Sequence, residues 1–153
     1  LFTSNWYTLI LLTFMLRGQI NIDKKSDDST SNSSHLGAWE RIYFRAVNGK
    51  DTTEIENNLN PLAITLLTPT HFSYQWRNSA NSGSGTYTYD GTLIHQRFEF
   101  LRDSSFVGAN LSFNMEVRND TLFFSGPVKA QSASGKNLMD QLPQMLEIRR
   151  RVK

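Results

Sequence analysis

The stretch that decides the fold reads Gly37-Ala38-Trp39-Glu40-Arg41-Ile42-Tyr43-Phe44-Arg45-Ala46, the first β-rich run after a polar linker. The last β-rich run, residues 146–152, lies at the other end of the chain and carries three consecutive arginines. We predict that the two runs pair and close an antiparallel barrel. In it Trp39 plugs one end and Arg149 or Arg151 covers the indole ring, a contact that contributes roughly 0.5 to 2 kcal/mol. The alternative is an ordinary core tryptophan with solvated arginines.

Length and composition fit one domain with a full core. The chain has 153 residues, which is too short for two ordinary domains. Its net charge is only +2 and its basic residues are scattered outside the last run, so we expect no nucleic-acid partner. It has no cysteine, which excludes disulfides, thiol catalysis and thiolate zinc sites. We expect neither a metal nor a cofactor.

An apolar run of eleven residues extends from Trp6 to Leu16. A membrane-spanning helix needs roughly 20 such residues, whereas the run matches the hydrophobic region of an export signal. We therefore expect residues 1–22 to be a signal peptide and the protein to be exported, whether periplasmic, in the envelope or secreted. A membrane anchor or an apolar tail packed on the domain are the alternatives, because basic residues follow the run. Residues 23–35 are predicted to be a flexible linker, and 36–153 the folded domain.

Within the predicted domain, apolar side chains alternate with polar ones at a period of two, which indicates strands. Leu111, Phe113, Met115 and Val117 form the clearest example. About eight short strands are expected, with no helix long enough for a parallel crossover. The predicted class is all-β, an up-and-down antiparallel barrel or a sandwich. Loops are predicted at residues 48–61, 79–85 and 126–143, and a helical turn at 103–108.

The domain resembles the lipocalins and the wider calycin superfamily in Gly37-Ala38-Trp39 at the start of its first strand and in its arginine-bearing last strand. The runs Ser82 to Gly91 and Asn110 to Leu122, with Arg150 to Lys153 at the end, are also similar to an uncharacterised group of exported bacterial lipocalin-like domains. The resemblance covers roughly residues 36–153. It implies that Gly37, Trp39 and a late arginine close one end of a barrel.

The aromatic content is the most suggestive functional feature of the sequence. An eight-stranded barrel has just enough interior to be filled by side chains or to hold one small ligand. We expect a small apolar or amphipathic molecule to bind there, with a ring-filled interior as the alternative. The residues expected to line the cavity are Phe72, Tyr74, Trp76, Tyr87, Tyr89, Phe98, Phe100, Phe113 and Phe124.

Polar residues among these rings are the sharper candidates for ligand contacts. Arg41 and Arg45 share strand parity with Trp39, so one of the two arginines can point inward and bind an anionic head group such as a carboxylate. A β-bulge after Trp39 would turn them outward. Tyr43, on the same parity, is a further candidate. Gln96 is another, because it lies on the apolar face of its strand.

No sequence motif points to catalysis. There is no nucleophile elbow, Walker loop, dinucleotide fingerprint or zinc-protease helix. His95 and Glu99 lie about 13 Å apart along one strand, too far for one metal ion. The expected function is therefore non-catalytic binding. The alternatives are a protein-interaction or envelope-assembly module with a filled barrel interior that acts through loops 48–61 and 126–143, and an enzyme of the calycin type with a tyrosine or histidine in the cavity as acid or base.

Overall fold

The computed structural model describes residues 33–153, which form nine strands and three short 3-10 helices. The strands are β1 (Gly37–Asn48), β2 (Asp51–Glu56), β3 (Ala63–Leu67), β4 (His71–Trp76), β5 (Ser82–Tyr89), β6 (Leu93–Leu101), β7 (Asn110–Arg118), β8 (Thr121–Gln131) and β9 (Gln144–Arg151). The 3-10 helices are Ser33–His35, Ser104–Phe106 and Met139–Gln141. The predicted signal peptide or anchor and most of the predicted linker lie outside the described residues. In residues 33–153 no helix has the length and apolar character needed to cross a membrane.

The strands close into an antiparallel up-and-down barrel. β1 pairs on one edge with β3 and on the other with β9, and each strand from β3 to β8 pairs with the one that follows it in the chain. Eight strands, β1 and β3 to β9, thus form an uninterrupted ring. The predicted fold class and the predicted pairing of the first and last β-rich runs are confirmed.

β2 is the ninth strand and extends β1 as a hairpin, in a part of the chain predicted to be a loop. It pairs with the outer half of β1, beyond the residues that β3 covers. All six of its residues are exposed and only Ile55 is a large apolar one, so no alternation marked it as a strand. The two-residue turn Gly49-Lys50 and the free edge of the outer half of β1 allow the pairing instead.

Bulges determine which side chains face the interior. Opposite the Ser84–Gly85 step, β6 carries an extra residue, because Ser84 pairs with Phe100 and Gly85 with Phe98. A Cβ on Gly85 would lie 1.9 Å from the carbonyl oxygen of Arg97, so this close approach requires glycine. The bulge turns Phe100 outward, where its side chain is 70% exposed. This corrects the expectation that Phe100 lines the cavity.

β8 continues to Gln131, so residues 126–131 of the predicted loop at 126–143 belong to a strand and the loop itself is shorter. Ser112 and Asn114 of β7 pair with Lys129 and Ser125 of β8, which leaves two extra residues on β8. Pro127, which has no N–H to give to the ladder, lies in this irregular stretch. Residues 82–85, also predicted as loop, belong to β5. The predicted helical turn after Asp103 is confirmed, since the Asp103 carboxylate accepts a hydrogen bond from the Ser105 N–H at 3.0 Å.

The closed end of the barrel is built on Trp39, whose side chain is 0% exposed. Its indole N–H donates to the carbonyl of His35 at 2.8 Å. The guanidinium of Arg151 lies 4.2 Å from the centre of the indole ring and donates to the carbonyl oxygens of Leu36, at 2.8 Å, and Ser34. A Cβ on Gly37 would lie 3.1 Å from the same guanidinium. Residues 33–35, predicted as linker, therefore pack against the closed end.

Candidate functional site

The barrel interior holds a cavity of about 640 Å³. Besides the barrel walls, it is lined by Asn81, Arg102, Phe106 and Leu142, which lie in or beside the loops at the end opposite Trp39. The cavity therefore opens at that end. Its volume falls within the range of roughly 300 to 1,000 Å³ that is common for small-molecule sites.

Seven aromatic side chains of the strands line the cavity, together with Phe106 from the loop side. The seven lie at inward positions of five different strands. Two pairs pack directly: Phe72 and Phe98 meet edge to face at 5.1 Å between ring centres, and Phe113 and Phe124 lie 4.5 Å apart with their planes tilted by 30°. The seven residues are Phe44, Phe72, Tyr74, Trp76, Phe98, Phe113 and Phe124.

Arg41 points into this cavity because of where the bulge in β1 falls. Arg41 pairs with Arg149 and Tyr43 pairs with Ile148, so the extra residue follows Arg41 rather than Trp39. Arg41 thus keeps the inward parity of Trp39 and lies about 7 Å closer to the open end.

Beyond the bulge the parity is reversed. Tyr43 faces outward, and its hydroxyl donates to the Glu54 carboxylate at 3.0 Å. Arg45 is exposed on the same outer face. The structure therefore places Tyr43 outside the cavity, in contrast to its predicted role as a ligand contact, and Phe44 occupies the inward position instead.

A buried cluster of three charged residues lies beside the aromatic wall. Glu147 accepts hydrogen bonds with one carboxylate oxygen from Arg41 Nη2 at 2.9 Å, and with the other from Arg149 Nε at 2.8 Å and Arg149 Nη2. The exposed fractions of Arg41, Glu147 and Arg149 are 4%, 2% and 5%. We refer to these residues as the arginine–glutamate cluster.

Arg149 and Arg151 were both predicted as candidates for the closed end, and the structure places only Arg151 there. Arg149 and Arg151 face the same side of β9, but Arg149 lies two residues, about 7 Å, closer to the open end. Its guanidinium lies 4.4 Å from the ring centre of Phe124, whereas Arg151 alone of the two lies over Trp39. Glu147 was missed, although it shares the strand parity of Arg149 and Arg151.

Some polar atoms of the site have no hydrogen-bond partner within residues 33–153. They are Nε and Nη1 of Arg41 and the hydroxyl of Thr65, and all three are buried. Thr65 lies opposite Trp39 on β3, one inward position from Arg41, and both residues line the cavity. The guanidinium of Arg41 packs on the Trp76 ring at 4.5 Å from its centre. Thr65 was not among the predicted site residues.

Burial and the neighbouring charges shift the ionisation of the cluster. Burial lowers the pKa of Arg41 to about 10, although Glu147 acts in the opposite direction. Burial by itself would raise the pKa of Glu147, but Arg149 and Arg41 outweigh it and hold that pKa below its ordinary value of 4.5. At neutral pH the cluster therefore contains two positive charges and one negative charge.

We expect the low pKa of Glu147 to make the domain less stable in acid. The ionised Glu147 carboxylate contributes to the unfolding free energy. Because its folded-state pKa is below 4.5, this contribution is complete above pH 4.5 and is lost as the pH falls through the folded-state value. Glu147→Gln lacks the titrating group, so the stability difference between wild type and variant should narrow on acidification. Urea unfolding of both proteins from neutral pH to about pH 3 measures this. A difference that stays constant with pH would contradict the assignment.

Two tyrosines predicted to line the cavity belong to the closed end instead. The Tyr87 hydroxyl donates to the Thr68 carbonyl at 2.5 Å and lies 3.0 Å from His35 Nε2. The Tyr89 hydroxyl lies 2.8 Å from the carbonyl oxygen of Gly91. Gln96, by contrast, is buried and does line the cavity. The predicted ligand contacts that the structure brings together there are Arg41, Phe72, Tyr74, Trp76, Gln96, Phe98 and Phe113.

The histidines do not combine with carboxylates into a metal site in the described part of the chain. His95 contacts Ser112 at 2.8 Å and Asp90 at 3.6 Å near the closed end. Residues 33–153 contain no group of three or more histidine, aspartate or glutamate side chains placed to hold a metal ion.

Comparison with known proteins was made at three levels. No protein-family model matches the chain, and neither a curated protein nor a solved structure matches it significantly.

Proposed function

We propose that the protein binds a small apolar or amphipathic molecule in the barrel cavity and does so without catalysis. The observation that carries this proposal is the cavity of about 640 Å³, open at one end and lined by eight aromatic residues. Burying a ligand there removes apolar surface from water, which contributes about 25 cal/mol per Å² before the costs of ordering. The few polar groups among the rings provide the contacts that orient a bound molecule.

Kinship with the lipocalins is part of this proposal. It is supported by the closed end, where Gly37 leaves room for Arg151 and Arg151 covers Trp39. Export is likewise proposed, from the apolar run at residues 6–16. Sequencing the N-terminus of protein recovered from fractionated cells tests export, because a cleaved signal removes that run.

A protein-interaction module is the second candidate function. Exposed apolar side chains on the outer face of β3 and β6, with Val107 beside them, favour it: Ile64, Leu66 and Phe100. The filled barrel interior expected for such a module does not agree with the cavity of about 640 Å³. The first candidate therefore has the stronger support.

A neutral fluorescent probe tests the binding proposal. We expect N-phenyl-1-naphthylamine to bind the full chain saturably with enhanced fluorescence, because its rings transfer from water to the aromatic cavity. Leu101→Trp, which narrows the open end, should weaken binding several-fold, because Leu101 lines the cavity. Leu66→Trp adds the same ring on the outer face of β3 and should bind like wild type. Absence of saturable binding, or equal effects of both variants, would overturn the proposal.

A further inference from the structure

The interior polar groups indicate which class of amphipathic molecule fits best. We propose that the cavity selects a molecule with one carboxylate, whose oxygens accept hydrogen bonds from Arg41 and Thr65 while its apolar part extends toward the open end. This inference rests on the proposed binding function and specifies its ligand class.

The charge of the cavity supports a single anion. The lining residues include three arginines and two carboxylates, and Arg102 and Asp103 stand together at the open end. Deeper in the barrel, Glu147 is the only carboxylate of residues 33–153 that forms an ion pair with Arg41 or Arg149. One positive charge of the arginine–glutamate cluster is therefore unmatched although Arg41 is only 4% exposed, and burying a charge without a counter-ion is costly. A ligand with one negative charge neutralises the net positive charge of the cluster, whereas a neutral head group does not.

Glu147 cannot supply the missing partner. One of its oxygens already accepts from Arg41 and the other from Arg149. Arg41 is held in place by this contact and by the Trp76 ring, with Nε and Nη1 left without partners in residues 33–153. The Thr65 hydroxyl is also buried and has no hydrogen-bond partner among the described residues. These groups are donors that a carboxylate can use, and hydrogen bonds between ionised groups are the strongest kind.

The apolar wall determines how such a molecule lies. Arg41 is only one inward position above Trp39, which closes the barrel. An apolar chain attached to a carboxylate at Arg41 must therefore extend upward, past Phe98 and Met145, to the loops at the open end. A molecule with its anion at the open end would leave the unmatched charge of Arg41 buried.

Calorimetric titration of the full chain at neutral pH and low ionic strength tests the inference, with decanoate and decan-1-ol as probes of equal chain length. We expect decanoate to bind roughly tenfold tighter or more, because its carboxylate gains charge-assisted hydrogen bonds. Arg41→Met should abolish this preference, so that decanoate binds no tighter than decan-1-ol to the variant. The matched control is Arg45→Met, the same substitution on the outer face of the same strand, which should keep the preference.

Two further measurements keep the test decisive. Thr65→Val preserves side-chain shape and should reduce the preference for decanoate over decan-1-ol several-fold. This variant provides the test if Arg41→Met fails to fold. Decyl phosphate, with more negative charge, should bind no tighter than decanoate, and tighter binding would overturn the selection for one charge. Equal affinity for decanoate and decan-1-ol would overturn this inference alone. If neither binds, and N-phenyl-1-naphthylamine does not bind either, the proposed function itself fails.

Discussion

Replacing Trp39 with alanine is expected to lower the unfolding free energy of the domain by about 3 to 5 kcal/mol, the range for a deleted core tryptophan. Trp39 is 0% exposed and fills the end of the barrel, so its removal leaves a void among buried side chains. The variant also loses the hydrogen bond to the His35 carbonyl and the ring beneath the Arg151 guanidinium. Urea unfolding, followed by circular dichroism, measures the change.

Two comparisons make the Trp39 result specific. Phe100→Ala removes a ring that is 70% exposed on the outer face and should change stability by no more than about 0.5 kcal/mol. Arg151→Met removes the cation over Trp39 and should cost roughly 0.5 to 2 kcal/mol. A Trp39→Ala variant no less stable than Phe100→Ala would show that Trp39 does not plug the barrel.

Glu147→Gln is expected to cost about 3 to 5 kcal/mol at neutral pH, because it leaves two buried guanidinium groups without a counter-charge. Arg41 and Arg149 are both at most 5% exposed and both donate to this one carboxylate. Arg41→Met should be less destabilising than Glu147→Gln, because the Glu147 and Arg149 pair remains and its charges balance. Urea unfolding of the two variants measures this asymmetry directly.

The matched control is Glu116→Gln on β7. Glu116 also binds an arginine two residues along its strand, Arg118, at 2.5 Å, but both side chains are more than half exposed. Glu116→Gln should change stability little, because water solvates each charge of an exposed pair when the other is removed. Equal losses for Glu147→Gln and Glu116→Gln would mean that solvent reaches the arginine–glutamate cluster and that its unmatched charge carries no penalty.

The sequence predicted the barrel well because period-two alternation is a local property of each strand. A strand with one buried face must carry apolar side chains at every second position, as Leu111, Phe113 and Met115 do. The pairing of the two ends of the domain was also predicted from sequence, because the first strand carries Trp39 and the last strand carries the arginines that can cover its ring. β2 was missed because all its residues are exposed and carry no such pattern.

Alternation in the sequence determined that the domain is all-β and which side chains share a face within each uninterrupted run. Only the tertiary structure decided where each run is interrupted. A bulge adds one residue to a strand, and because it follows Arg41 rather than Trp39, Arg41 stays inward and Tyr43 faces outward. Only the closed barrel, moreover, brings Glu147 of the last strand to Arg41 of the first. Their contact depends on the pairing of distant strands, which no local pattern encodes.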